Sequence, residues 1–377
     1  MIINNLQFDP LQAPFNTFVA VINYLLTNNT PPSNDYFLEV IKAVNEFFEK
    51  GEQTNRPLNS EGKAGGIVYF KEVEDIIILP DLHARRIFLQ SVLSGRFTDG
   101  EESLIELLES GKFALVCLGD GVHGEAEHSK RWKSAADEFV KGYTNHKHID
   151  AEIADSFNLM LVIALLQIRY PTRFCFIKGN HENILNENSN GNYSFAKYCY
   201  EGEMVLSYFK KFYTVELLAE YAIFERNLPL FVVGNNFMAS HAEPAILFDL
   251  PRIIDYRDDS ALIESLTWTD NFKSPEGTVK SIISNFYESD PDDIIYFGGH
   301  RSINSIYNRT GNDNFIQIHN PHKQILVKFK NIVGTKIEPE TNIFEYKPVI
   351  NRQEIPKEEK NTLIDLLKNS ISRIIGA

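Results

Sequence analysis

From residue 67 onward the chain repeats one pattern: a short β-branched or aromatic run, a sharp turn at its end, then a stretch with helical apolar spacing. The runs fall at 67–70, 75–79, 113–118, 173–177, 229–233, 236–239, 294–297, 314–318 and 324–329. Branched side chains suit a pleated, buried surface, and the stretches between them repeat near the 3.6-residue period. Helices are predicted at 84–93, 101–110, 126–141, 153–166, 203–220 and 278–287. Such alternation commits the chain to a layered α/β fold in which helices cover sheet faces.

Ahead of this region, 15–26 and 36–48 carry two more amphipathic helices, parted by the breaker Thr30-Pro31-Pro32-Ser33-Asn34-Asp35. Residues 1–60 thus read as a helical N-terminal extension whose polar end, from 51 to 66, is a linker. The main domain is expected over 61–335, with an inserted helical segment at about 121–170. Residues 336–377 form a C-terminal extension, in which 356–375 reads as a charged, then amphipathic, helix. With 43% hydrophobic residues among 377, the chain can bury a sizeable core.

A formal charge of −14 argues against nucleic acid as a partner, because phosphate backbones demand a basic surface. The most apolar window, 157–168, is too short to span a bilayer and reads as a buried helix, so no membrane is expected. Neither a leader pattern nor a disulfide framework is read from the N-terminal residues and the three cysteines, Cys117, Cys175 and Cys199. The expected location is cytoplasmic.

The ends of the apolar runs carry the chemistry. Asp81 and His83 follow the run 75–79, and residues two apart in extended chain face the same side, so both can grip one ion. Asp120 ends the run 113–118 between Gly119 and Gly121, where a carboxylate can bridge two cations. Gly179-Asn180-His181-Glu182 offers a neutral carbonyl oxygen to a hard cation and an imidazole to the substrate. His241 and His300 each lie just past another apolar run. Any one of these alone is commonplace, but the ordered set at run ends points to one divalent-metal site.

In that order the motifs resemble the calcineurin-like metallophosphoesterases. Gly-Asn-His-Glu, with Leu266-Thr267-Trp268-Thr269-Asp270 between the last two histidines, is similar to the PPP serine/threonine phosphatase branch. The resemblance covers roughly residues 70–330. It implies a four-layer α/β/β/α sandwich and two divalent metal ions (manganese, iron or zinc). Asp81, His83 and Asp120 would hold one ion, and Asp120, Asn180, His241 and His300 the other, while His181 would protonate the leaving oxygen. Two bridged cations lower the pKa of a shared water and clamp phosphoryl oxygens for in-line attack.

The surrounding shell departs from the family. The stretch Gly119-Asp120-Gly121-Val122-His123-Gly124-Glu125 has His123 where the family has an aspartate that orients the acid histidine. Gly124 stands where the family has a phosphate-binding arginine, and no arginine lies between Trp268 and His300. Arg85, Arg86, Arg131 and Arg301 are the nearby guanidinium candidates, with Asn180, Arg85, Arg131 and Arg301 expected to contact substrate. Asp120, His123 and His181 are the expected catalytic set. His128, His146 and His148 read as surface residues, and His319 and His322 as turn residues. The expected partner is a phosphorylated protein or small molecule. The alternatives are a diadenosine-polyphosphate hydrolase or a binding module that keeps the fold with little catalysis.

Overall fold

The computed structural model describes residues 10–50, 55–310 and 314–347. The helix expected at 356–375 lies outside them. Among the described residues the strands are β1 (Ile67–Tyr69), β2 (Asp75–Leu79), β3 (Phe113–Cys117), β4 (Phe174–Phe176), β5 (Phe231–Val233), β6 (Phe237–Ser240), β7 (Ile295–Gly298), β8 (Asn308–Arg309), β9 (Phe315–Gln317), β10 (Ile325–Lys330) and β11 (Ile343–Glu345). They form a five-stranded sheet, β11-β10-β2-β3-β4, and a six-stranded sheet, β1-β5-β6-β7-β9-β8. Strands β2, β3 and β4 run parallel in the first sheet, and β6, β7 and β9 run parallel in the second.

Alternation along each strand explains the layering. In β2 and β3, Ile76, Ile78, Ala114 and Val116 face Val232, Ala239, Phe297 and Ile316 of the other sheet in one buried cluster. Their neighbours Ile77, Leu79, Leu115 and Cys117 face the opposite way, into a helical core. On the far side Phe231, Val233, Met238, Tyr296 and Phe315 pack against helices α9 (Leu250–Ile254), α10 (Ser260–Thr267) and α11 (Thr278–Phe286). The result is a four-layer α/β/β/α sandwich.

The first helical layer contains α1 (Phe15–Thr27), α2 (Asn34–Lys50), α3 (Arg86–Leu93), α4 (Leu104–Glu109), α5 (Ser129–Val140), α6 (Lys147–Arg169), α7 (Glu201–Phe212) and α8 (Val215–Asn227). Helix α6 is buried nearly all round, as its apolar composition requires. Around it the N-terminal pair docks through Phe37, whose ring meets Phe157, Phe209, Tyr213 and Tyr221. Asn158 also donates to the carbonyls of Asn28 and Thr30, and the Arg86 guanidinium donates to that of Asn28. No helix among the described residues is long and apolar enough to cross a membrane.

Several elements differ from the sequence expectation. The single helix predicted at 203–220 is two, because Tyr213 is extended and the Thr214 hydroxyl accepts the Leu217 N–H (3.2 Å), capping a new helix. The helix predicted at 153–166 begins earlier, at Lys147. Its first N–H groups, of His148 and Ile149, donate to the Glu138 carboxylate of α5 (3.0 and 2.9 Å), a cap that no local pattern shows. Helices α9 and α10 fall where the apolar pattern predicts no element. Short helix α12 (Pro339–Asn342) and β11 bring residues beyond 336 onto the edge of the five-stranded sheet.

Phe37 is fully buried at the junction of α2, α6, α7 and α8. Phe37→Ala is expected to lower the unfolding free energy by about 3–5 kcal/mol, read from the urea midpoint. A loss under about 1 kcal/mol would mean that the N-terminal helices contribute little to this core.

Candidate metal centre

The ligand-type residues leave their sheets at the same edge. Asp81 and His83 follow β2, Asp120 follows β3, and Asn180 and His181 follow β4. From the other sheet, His241 follows β6 and His300 follows β7. These are the carboxyl ends of parallel strands, where side chains from neighbouring turns converge over an open sheet edge. The turns after β2 and β3 are stitched together by backbone bonds from His83 N to Asp120 O (2.6 Å) and from Ala84 N to Gly121 O (2.9 Å).

Backbone strain is concentrated here. His83, Asp120, His123 and His300 have φ of 40°, 49°, 60° and 67°, in the left-handed region that costs a non-glycine residue about 1–3 kcal/mol. Local bonds hold these turns. The buried Glu182 carboxylate accepts the N–H groups of Asp120 (3.0 Å), Gly121 (2.8 Å) and Gly179 (2.7 Å), clamping the β3 and β4 turns together. Burial, then Asp120, push the Glu182 pKa up to about 7, against the opposing pull of Lys178 and the backbone donors. Two glycines permit the close approach: a side chain at Gly179 would strike the Asp120 carboxylate, and one at Gly299 would strike Asp81.

Asp120 Oδ2 lies 3.3 Å from His241 Nε2 and 3.7 Å from both His83 Nε2 and His181 Nε2. Its Oδ1 accepts the His181 backbone N–H at 2.9 Å. Asn180 Oδ1 sits between His300 Nδ1 (2.8 Å) and His241 Nε2 (3.0 Å). Asp81 accepts the His300 N–H at 3.0 Å and lies 3.8 Å from His83 Nε2. His241 Nδ1 donates to the Leu118 carbonyl at 2.7 Å, so its Nε2 presents a lone pair to two oxygens when the ring is neutral. His83 Nδ1 likewise donates to the His123 carbonyl (3.2 Å) and turns its Nε2 to the carboxylates.

Buried acceptors facing one another repel unless a cation stands between them. Burial works against charge on His241, yet Asp120 and Asp81 raise its pKa to about 9. Burial opposes ionisation of Asp120 too, but His181 and His241 outweigh it and hold the carboxyl well below its ordinary range. The ligand atoms of Asp81, Asp120 and His241, and those of His83, Asp120 and His181, lie within 4.8 Å of one another. Around a cation with ligands at ~2.1 Å, tetrahedral neighbours are spaced about 3.4 Å, so this donor set fits first-row divalent metals.

Around this centre, His123 Nδ1 lies 3.1 Å from His181 Nδ1, and both rings rest against Phe195. The His123 N–H donates to Ser156 of α6 (3.2 Å). Gly124 has no room for a side chain, because the His128 ring fills that space, and its carbonyl accepts the Trp132 indole N–H (2.8 Å). The candidate arginines are otherwise engaged. Arg85 donates to the carbonyls of Asp81, Leu82, Asn320 and Lys323. Arg86 and Arg131 pair with Asp155, Arg131 also pairing with Glu152. Arg301 is partly exposed and pairs with Asp270.

Four neighbours were given no part in the site by the sequence reading: Glu182, Glu125, Phe195 and His319. Glu182 stands in the Gly-Asn-His-Glu motif, and His319 follows β9 as the other histidines follow their strands, so the strand-end pattern could have included it. Phe195 lies in an irregular segment and carries no local signal. A cavity of about 300 Å³ opens beside His83, Glu125 and His319, with His128, His322 and Lys323 also on its walls.

No family model matches the sequence, and no curated protein matches it. The fold aligns with a protein serine/threonine phosphatase from Saccharomyces cerevisiae with similarity to human phosphatase PP5. That alignment has a TM-score of 0.52 and 14% identity, covering 86% of this chain and 92% of that one. A putative diadenosine tetraphosphatase aligns with a TM-score of 0.37 and 14% identity, over 76% of this chain and 99% of that one. A cold-active protein tyrosine phosphatase gives 0.39 and 12%, over 69% and 75%. Of these three, the first has a TM-score high enough to bear on the fold, and at 14% identity it bears on the fold alone.

Glu182→Gln keeps the volume but turns one acceptor oxygen into a donor that faces backbone N–H groups. It is expected to cost about 1–3 kcal/mol of stability in urea denaturation. An unchanged midpoint would remove Glu182 from the clamping role.

Proposed function

We propose that this protein is a metal-dependent phosphoric ester hydrolase acting on phosphomonoesters of a protein or small molecule. Asp81, His83 and Asp120 would hold one divalent cation, and Asp120, Asn180, His241 and His300 would hold a second. The observation that carries this reading is the convergence of the His83, His181 and His241 Nε2 atoms on one oxygen of the buried Asp120 carboxylate. When bound, a pair of such cations (manganese, iron or zinc) supplies Lewis acidity to phosphoryl oxygens and makes water more acidic.

The side chains themselves do the rest. Asp120 is shared by both positions, while its Oδ1 holds the His181 main chain in place. The two Nδ1 atoms of His123 and His181 share a single hydrogen. With that hydrogen on His123, His181 presents its Nε2–H toward Asp120 and donates it to the leaving oxygen. Burial, then His83, push the His123 pKa down to about 3, so this partner orients His181 without stabilising a positive charge on it. The ring of Phe195 covers His181 and excludes water from that side. The cavity beside His83 receives the organic part of the ester.

Metal content measured together with turnover of an aryl phosphate, a phosphopeptide and a diadenosine polyphosphate tests the reading. Asp120→Asn is expected to lower kcat/KM by roughly 10²–10³-fold or more with the fold retained by circular dichroism. Near-normal turnover would refute it, and a chain that takes up no metal would favour a binding module. His181→Gln is expected to slow alkyl esters by about 10²–10⁴-fold and aryl esters far less, because a good leaving group needs no proton. Equal losses on both would mean that His181 is not the acid.

A further inference from the structure

His319 lies outside every motif of the family resemblance, yet it is buried against the centre. It follows β9, which runs parallel to β7, so it leaves the sheet at the same edge as His300. Its Nε2 is 3.1 Å from Glu125 Oε2 and its Nδ1 is 3.6 Å from Asp81 Oδ2, with the ring only 1% exposed. A carboxylate oxygen only accepts, so Nε2 carries the hydrogen and Nδ1 is left with its lone pair. That Nδ1 has no hydrogen-bond partner, and 3.6 Å to Asp81 is too long for one.

His83 shows the same arrangement. Its Nδ1 donates to the His123 carbonyl, and its bare Nε2 faces Asp81 Oδ2 at 3.8 Å, Asp120 Oδ2 at 3.7 Å and Glu125 Oε2 at 3.6 Å. The ligand atoms of Asp81, His83 and His319 lie within 4.8 Å of one another. Two lone pairs on nitrogen and two carboxylates thus point at one buried volume.

From this geometry we infer that His319 is a further protein ligand of the first cation, and that Glu125 is the positioning residue that aims it. The inference rests on the dinuclear reading above and extends it to residues that the family pattern does not supply. Glu125 is fixed from its other oxygen by the Lys197 ammonium. A carboxylate that accepts the far N–H of a ligating imidazole sets both its tautomer and its direction. With two imidazoles and two carboxylates, the first position favours a cation that accepts nitrogen, such as zinc or ferrous iron, over magnesium. Extra protein ligation also takes up a coordination place that water or substrate would use, bringing the first position to four protein ligands, as many as the second has.

Full-length protein freed of metal and titrated with zinc by calorimetry provides the test. Wild type is expected to bind two ions; His319→Ala weakens one of the steps by about 100-fold, Glu125→Gln weakens the same step by about 10-fold, and His300→Ala weakens the other. If His319→Ala leaves both steps as in wild type while His300→Ala weakens one, the inference falls and the dinuclear reading stands. If wild type binds no zinc, manganese or iron, both fall. Should the variants fail to fold, anomalous scattering from a zinc-loaded wild-type crystal decides: an ion about 2.0–2.1 Å from His319 Nδ1 supports the ligand role, and one beyond about 3 Å overturns it.

Discussion

The centre of this protein is governed by a mismatch of hydrogens. Asp81, Asp120, Asn180, His83, His241 and His300 are all buried, and three oxygen-bearing side chains there crowd against three imidazoles. Water cannot reach them freely, and the protein supplies few hydrogens to place between them. In a low-dielectric interior this crowding is costly unless a cation resolves it. Much of the surrounding architecture serves to keep the crowd together: left-handed turns at His83, Asp120 and His300, glycines at 179 and 299, and the Glu182 carboxylate across three N–H groups.

The shell beyond the proposed ligands departs from the motif pattern that the sequence resembles, and helices α5 and α6 show how. Helices α5 and α6 bring Trp132 and Ser156 against the turn that carries His123 and Gly124. His128 occupies the space where an arginine side chain at 124 would begin. Arg131, brought in by α5, spends its donors on Glu152 and Asp155 of α6. Charges that looked available for phosphate in the linear sequence are therefore consumed in tying one helix to the next. The altered turn and the cavity beside it are one continuous feature, since His128 and Glu125 belong to both.

Much of this was legible in advance, for a definite reason. Strands β2, β3 and β7 are short, apolar and bounded by glycine or proline, and the alternation of inward and outward residues is strict enough to read. A ligand at the end of such a run must emerge at the sheet edge, which is why Asp81, Asp120, Asn180, His241 and His300 could be grouped before their geometry was known. Helix starts were harder. The cap of α6 comes from Glu138 on another helix, and the break between α7 and α8 depends on a single threonine within a continuous helical pattern.

By itself the sequence determined the layered α/β class, the order of the strands along the chain, and which residue types stand at their ends. Those are local properties, set by side-chain shape and by the period of the apolar positions. Tertiary structure alone decided which ends meet. His319 and His322 are close in sequence and both polar, yet one is buried against Asp81 and the other is exposed on the cavity wall. Likewise Arg85 and Arg131 found carbonyl and carboxylate partners that lie far along the chain or one helix away. Whether a polar side chain is a ligand, a brace or a surface group depends on the partner that folding places within about 4 Å of it, and that partner is not written next to it.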